Sequence, residues 1–343
     1  MQAFVLAGGE GTRLRPLTLT TPKPVMPLAG RPFLTFMLDW LESHGVDDVI
    51  LSCGFMGDAV ERVLGHRHGG MSVRYVNEDE PLGTGGPMRL ALDAGLLEER
   101  LLVLNGDVLT DMDLTAELRD HDDSGALGTV ALIAVEDTAS YGVVPTAEDG
   151  RVEAFLEKAA GPAPTNRINA GAYVLERAVA ERIPPGRAVS FEREVFPALV
   201  EEGRLHGWPA EGYWIDIGTP ERYLESTHDL LSGRVASTLP PRDDSGSLLY
   251  EGARTDGATV GPLSVVGREC ELAPGAVIDR AVLHDGVRVG EGAHIESSVV
   301  AEAAVIGDGA RIEPGAVVGS GAEVAAGAVV GGDARVAPGE RVA

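Results

Sequence analysis

The sequence predicts an α/β sandwich with a mostly parallel central sheet, followed by a parallel β-helix. Three observations carry this reading. Short apolar runs alternate with amphipathic stretches over residues 1–230, the pattern of successive strand–helix units. Aliphatic residues then recur at every sixth position: Ile306, Ile312, Val318, Val324, Val330, Val336 and Val342. A six-residue period fits neither a helix nor simple strand alternation; it is the hexapeptide β-helix pattern. Finally, composition changes, with no aromatic residue beyond Tyr250 and Gly, Ala and Val dominant. A chain of 343 residues has room for two such domains.

Each element has a local reason. Ala3–Ala7 is an apolar run ending in Gly8-Gly9, a buried strand opening into a loop. Pro32 starts a helix with Phe33, Leu34, Met37, Leu38 and Leu41 on one face. Asp48–Ser52 and Leu101–Leu104 are the next strands, the second running into Asn105-Gly106-Asp107. Gly128–Val135 is a continuous apolar strand of the kind buried on both faces. Thr219-Pro220-Glu221 is a helix start, with a hydroxyl cap, proline at the first position and an acid in the first turn. Leu239–Leu248, rich in Pro, Asp, Ser and Gly, is a linker. The six-residue step also runs through Val260, Val266, Leu272 and Ile278, and through Leu283, Val289 and Ile295. The five-residue steps Ile278→Leu283 and Ile295→Val300 are slips that corners must absorb. The expected division is therefore 1–235 for the α/β domain, 236–250 for the linker and 251–343 for the β-helix.

Charge narrows the function. Fifty-three acidic residues against 28 basic ones give a net charge of −25. That field repels nucleic acid and anionic membranes, so neither is an expected partner. No apolar run approaches the ~20 residues of a membrane span, and the amino terminus lacks the features of a signal peptide. Cys53 and Cys270 lie far apart and outside any metal-ligand spacing, which fits a reducing cytoplasm. Only two of the basic residues are lysines, Lys23 and Lys158. A codon bias explains the loss of lysine elsewhere but not its survival at two positions. A compact ammonium cannot be copied by arginine at a phosphate, which makes both lysines site candidates.

The loop Leu6–Pro24 (LAGGEGTRLRPLTLTTPKP) carries the first chemistry. Gly8, Gly9 and Gly11 after a strand allow close backbone approach to phosphates. Leu14 stands where a dinucleotide fingerprint needs a third glycine, and no Gly-Lys-Ser/Thr follows, so neither that motif nor a Walker A is present. Arg13 and Lys23 flank a Thr- and Pro-rich stretch too polar for a core.

This string resembles the signature of the sugar-1-phosphate nucleotidyltransferases, or nucleotide-sugar pyrophosphorylases. Further elements match in order: EPLGTGG (Glu80–Gly86), NGD (Asn105–Asp107), Tyr141-Gly142, Glu157-Lys158, NAG (Asn169–Gly171) and WIDIGTP (Trp214–Pro220). One departure is Ala159, where proline usually follows the Glu-Lys pair. The resemblance implies a Rossmann-like α/β/α nucleotidyltransferase domain followed by a left-handed β-helix. It implies in-line attack of a sugar 1-phosphate oxygen on the α-phosphorus of a nucleoside triphosphate, giving NDP-sugar and pyrophosphate. Asp107 and Asp216 match the residues that hold Mg²⁺; Arg13 and Lys23 match those that neutralise the triphosphate. Leu6, Ala7, Gly8, Gly9, Gly11, Thr12, Gly83 and Thr84 fall at the nucleotide. Gly142, Glu157, Lys158, Asn169 and Gly171 fall at the sugar phosphate. A homo-oligomer is expected, with the β-helix as its assembly or regulatory module.

Glu78 suggests the base. Members using uracil or thymine commonly carry glutamine five residues before the glycine matching Gly83; here that position is Glu78. A carboxylate accepts only, which suits the adjacent N1–H and N2–H₂ donors of guanine. The EPLGTGGP string also resembles the guanylyltransferases that use mannose or heptose 1-phosphate, so GTP and mannose 1-phosphate lead. Glucose-1-phosphate thymidylyl or uridylyl transfer and heptose-1-phosphate guanylyl transfer remain open. So does a hexapeptide-repeat acyltransferase using His284 or His294, expected at exposed coil positions, and a regulatory homologue with a decayed site. His66 and His68 read as a solvated loop.

Overall fold

The computed structural model describes residues 1–78, 80–157 and 163–343, which form two compact units. Residues 1–9 and 37–214 make one; residues 10–36 and 215–343 make the other. The expected boundary near residue 235 is not where the contacts divide. The loop after Gly9 and the helix after Thr219 belong with the β-helix.

The first unit is built on a ten-stranded sheet. Four strands, Met71–Asn77, Asp48–Cys53, Gln2–Leu6 and Arg100–Asn105, lie side by side in parallel. Strand Arg167–Glu176 runs antiparallel to Arg100–Asn105 and also to Gly128–Ala134, which carries Leu205–Pro209 in parallel on its other side. The parallel strands are aliphatic along their length because both faces are covered: Phe4, Ile50, Val103, Leu132 and Tyr173 are all buried in one cluster with Phe191 and Phe196. Register places Leu6 opposite both Ser52 and Asn105, and Ser52 opposite Val76. The loops that follow these strands therefore leave one edge of the sheet together, the edge at which open α/β sheets bind ligands.

Pro32 does not start the first helix: Arg31–Pro32 is a short strand, and the helix runs Leu34–Ser43 with Leu34, Met37, Leu38 and Leu41 buried on the predicted face. Helix Pro220–Ser232 starts on Thr219, whose side chain accepts from the Arg222 amide. No helix among the described residues is long and apolar enough to cross a membrane. The segment around His66 is not simply loop: Arg67–His68 is a short strand, and His68 Nε2 lies 2.6 Å from Asp39 Oδ1.

The second unit contains the β-helix, three parallel sheets wound around the six-residue repeat and consistent with a left-handed hexapeptide coil. Val266, Ile278, Leu283, Ile295, Val300, Ile306, Ile312 and Val318 all point inward and are buried. Each such side chain stabilises the coil by about 1.5–3 kcal/mol relative to exposure. Partners on one sheet lie 17 residues apart at Val266, Leu283 and Val300, then 18 apart at Val318 and Val336. Three six-residue sides make 18; the two five-residue slips make 17. Arg280 and Ser297 absorb them at corners, with φ of 50° and 41°. The first coil strand, Leu248–Leu249, lies within the stretch expected as linker and pairs with Val265–Val266.

One helix of the first unit carries a buried carboxyl that nothing pairs. Asp113 caps helix Leu114–Ser124, and Glu117 in its first turn is 0% exposed, with neither carboxyl oxygen hydrogen-bonded. Burial, with Asp120 nearby, pushes its pKa from 4.5 up to about 8. Between those values the unfolded chain ionises and the folded chain does not, so stability falls as pH rises. Glu117→Gln removes that loss. The thermal midpoint of the variant, relative to wild type, should rise by several degrees from pH 5 to pH 8, at roughly 2–4 °C per kcal/mol. Parallel midpoint curves for the two proteins would contradict the assignment.

Candidate active site

The first unit brings most of the expected nucleotide and sugar residues to the carboxyl edge of its parallel strands. The chain leaves Leu6 into the glycine loop, where Ala7 N donates to Ser52 O at 2.8 Å and Gly8 O accepts from Phe55. Gly106 N donates to Leu6 O at 2.8 Å, which sets Asp107 at the turn beside that loop. Glu78 is held at the same edge. Its Oε1 accepts from Ser52 Oγ at 2.8 Å, its Oε2 accepts from Leu82 N at 2.9 Å, and Oε1 lies 3.0 Å from where a Gly8 Cβ would stand. The glutamate closes the turn that leads to Gly83, whose φ is +73°.

Thr84 turns inward. Its Oγ1 donates to Glu192 Oε2 at 2.9 Å and accepts from Phe191 N at 2.8 Å, so its side chain fixes the segment after Val189. Cys53, at the end of its strand, is buried, and its thiol is pushed up to about 12 by burial and then by Glu61 and Glu78. A protonated thiol there is no nucleophile.

The sugar side is organised around a register shift in strand Arg167–Glu176 between Asn169 and Tyr173. Asn169 Oδ1 accepts from Gly171 N at 2.9 Å and its Nδ2 donates to the Tyr173 hydroxyl at 2.8 Å. Gly171 has φ +74°, and a Cβ there would stand 2.8 Å from Asn105 Nδ2. Only glycine lets the bulge press against the Asn-Gly-Asp turn. Asn105 Oδ1 is buried beside this bulge without a hydrogen-bond partner. Gly142 pairs with Glu157 across a short antiparallel ladder. Lys158 lies outside the described residues. Trp214 Nε1 donates to Ala170 O at 2.7 Å, and Tyr141 meets the Trp214 ring edge-on at 5.5 Å.

The second unit holds the remaining candidates. Gly11 adopts φ +61° and its carbonyl accepts from Thr18 Oγ1 at 2.8 Å, folding the loop back on itself. Thr12 and Arg13 are exposed. Lys23 opens the short helical turn Lys23–Val25 and is only 8% exposed. Arg13 and Asp216 meet at Gly218. A Cβ on Gly218 would stand 2.7 Å from Arg13 Nη2 and 3.2 Å from Asp216 Oδ2. The missing side chain lets the Arg13 guanidinium lie against the Gly218 backbone, beside the Asp216 carboxylate.

Aspartate carboxylates are hard oxygen donors of the kind that bind divalent cations, and Asp107 and Asp216 are the candidates. Among the described residues no group of three or more His, Cys, Asp or Glu side chains forms a closed cage. A cation held by one or two carboxylates, with phosphate and water completing its shell, is the mode Mg²⁺ favours.

Sequence reasoning missed Ser52, Asn105 and Tyr173, which touch candidate residues rather than being candidates. Their signal was weak: each lies in a strand, and Ser52 and Asn105 act through partners distant in sequence, while Tyr173 meets Asn169 only across the bulge. It also misplaced His284. That residue is 7% exposed, bonded to Tyr223, and lowered to about 4 by burial, so it is not an accessible catalytic base.

A glycine loop at such a sheet edge, in a chain that also carries a hexapeptide β-helix, is the architecture of a nucleotidyltransferase. The chain matches the nucleotidyl transferase family over residues 2–233 and the GMPPB C-terminal domain over residues 252–343. It is 45% identical over 297 residues to a mannose-1-phosphate guanylyltransferase of Mycobacterium tuberculosis, covering 85% of this chain and 82% of that protein. It is 37% identical to the mannose-1-phosphate guanylyltransferase catalytic subunit beta of Danio rerio, covering 79% and 74%. The structure of HddC from Yersinia pseudotuberculosis superposes with a TM-score of 0.58 at 30% identity, over 66% of this chain and 97% of that one. The chain belongs to the nucleotidyl transferase family, whose members commonly use a divalent metal.

Gly218→Ala tests the cradle. The new methyl meets the flexible tip of Arg13, so the thermal midpoint should hardly move. Turnover should fall by about 10–10²-fold as the guanidinium is displaced. A fully active variant would show that Arg13 is not needed where it stands.

Proposed function

We propose that this protein joins GTP and mannose 1-phosphate into GDP-mannose, releasing pyrophosphate. The observation that carries the reading is the 45% identity with a protein named mannose-1-phosphate guanylyltransferase across most of both chains. Glu78 supports the base assignment. Each of its oxygens accepts one internal hydrogen bond, and a carboxylate has about four acceptor sites, so two remain for the guanine N1–H and N2–H₂. In this reading Ser52 and Leu82 aim the carboxylate before the base arrives.

The reaction demands positioning and charge neutralisation more than covalent chemistry. The glycine loop Leu6–Gly11 offers its amides to the triphosphate, and Thr12 opens the turn that carries Arg13. Arg13 stabilises the charge that develops on the leaving pyrophosphate, and Lys23 holds its phosphates. Lys158 grips the sugar phosphate; Glu157, Asn169, Gly171 and Gly142 frame the hexose. Asp107 and Asp216 would hold Mg²⁺, which supplies charge neutralisation at the α-phosphate. We place the protein in the cytoplasm, a setting consistent with two free buried thiols. We also expect copies to assemble through the β-helix, where Val305 and Val329 stand outward and exposed. An acyltransferase reading has no support from His284, which is buried against Tyr223.

Pyrophosphate release from five nucleoside triphosphates against mannose, glucose and heptose 1-phosphates tests the substrate assignment. GTP should be preferred by about 10²-fold, the scale of an unpaired buried charge against a pyrimidine. Glu78→Gln should erode that preference and raise relative use of UTP or dTTP. A wild-type protein that prefers a pyrimidine nucleotide refutes the base assignment. Asp107→Asn and Asp216→Asn should each lower turnover in Mg²⁺ by at least ~10²-fold with the fold intact by circular dichroism. Near-normal turnover in either would remove that residue from the cation.

A further inference from the structure

The β-helix has three outward faces, and one of them is unlike the others. On two, the outward positions are polar or exposed: Glu271, Arg288 and Glu323 on one, Thr259 and Arg311 on the next. On the third, Val265, Val282, Val299 and Val317 are each 1% exposed although they point away from the coil axis. Helix Pro220–Ser232 covers part of this face, where His228 Nε2 lies 2.9 Å from Arg280 O and Glu221 pairs with Arg335 at 2.7 Å. The loop after Gly9 meets the coil nearby, at Ser320 and His284.

The loop is tied down on both sides of Lys23. Three residues before it, Thr20 Oγ1 lies 3.1 Å from Ser320 Oγ on the coil. Four residues after it, the Pro27 carbonyl accepts from the Tyr223 hydroxyl. That hydroxyl lies 3.0 Å from His284 Nε2. Because its proton goes to Pro27, its oxygen must accept from His284, which fixes the imidazole with hydrogen on Nε2. Further along, the Tyr250 hydroxyl donates to Ala29 O at 2.6 Å beneath the guanidinium of Arg268. Between the loop and the coil lies a cavity of about 200 Å³, bordered by Leu17, Val25, Met26, His284 and Ser320. Hydrogen bonds therefore fix the segment beside this cavity, together with the buried side chains of Leu17, Val25 and Met26.

We infer that Tyr223 and His284 are positioning residues for the nucleotidyl transfer, holding the Lys23 loop in its working place through the Pro27 carbonyl. The β-helix is thus part of the catalytic scaffold and not only an assembly module. The inference rests on the proposed role of Lys23. Displacing a phosphate-holding group by about 1 Å costs up to ~10²-fold in rate, so a bond made far from the chemistry carries a kinetic effect.

The test uses the full chain with Tyr223→Phe, His284→Leu and His284→Gln. Phenylalanine keeps the ring and removes the donor; glutamine restores an N–H where Nε2 stood. In Tyr223→Phe and His284→Leu, hydrogen exchange at the Val25 and Met26 amides should speed up several-fold, while the Val282 and Val299 amides on the coil stay protected. His284→Gln should return exchange towards wild type. With GTP and mannose 1-phosphate, kcat should fall about tenfold in Tyr223→Phe while the KM for the sugar phosphate stays within about twofold. Combined with Lys23→Arg, Tyr223→Phe should cost less than it does alone. Unchanged exchange in the loop, or fully multiplicative effects with Lys23→Arg, overturns the inference. A wild-type protein inactive on every substrate pair defeats the proposed function instead, and the exchange measurement still decides this one.

Discussion

The six-residue repeat imposes the constraint from which the second unit follows. Each side of the coil is two strand residues and a corner, so a single aliphatic side chain fills the interior and its neighbour must face out. A stack of such coils is a stiff prism with three surfaces, and the outward residue on each decides what that surface does. Four aliphatic layers in register make the face of Val265, Val282, Val299 and Val317 apolar enough to require a cover. Helix Pro220–Ser232 covers part of it, and that helix and the loop of residues 10–36 group with the coil.

The first unit obeys a different constraint, the register of four parallel strands. Because Leu6, Ser52, Val76 and Asn105 align, the loops that follow emerge together. Small residues then permit close approach: Gly106 beside Leu6, Gly171 against Asn105. Polar side chains fill the gaps by bonding to one another, Ser52 to Glu78 and Asn169 to Tyr173. The result is a set of acceptors and amides fixed before any ligand is present. Such fixed groups need little reorganisation during reaction, the condition under which charge stabilisation is most effective.

The same logic links chemistry to scaffold at Arg13 and Lys23. Both sit on a loop with little regular structure, built from short helical turns and prolines. A loop of that kind cannot hold a cation in place by its own hydrogen bonds. It borrows rigidity from Tyr223, Tyr250 and the coil beneath. At the other end of the loop, the bare Cα of Gly218 leaves Arg13 beside Asp216.

Local pattern in the sequence was enough to determine the two architectures, the strand ends, the Thr219 cap and the corners at the five-residue slips. These depend on side-chain periodicity and on residues within a few positions of one another. The family motifs likewise named Asp107, Asp216, Arg13 and Lys23, since each is a contiguous string. What tertiary structure decided were relations between residues far apart in sequence. Glu78 reads in the sequence as a base-recognising carboxylate, and only the fold shows Ser52 and the Leu82 amide each holding one of its oxygens. His284 reads as an exposed coil histidine until Tyr223 arrives from 61 residues away and buries it. Glu117 reads as an ordinary first-turn acid until packing strips it of water and partners. Burial and pairing across the fold are properties of the packed chain, set by which surfaces meet, and no local spacing encodes them.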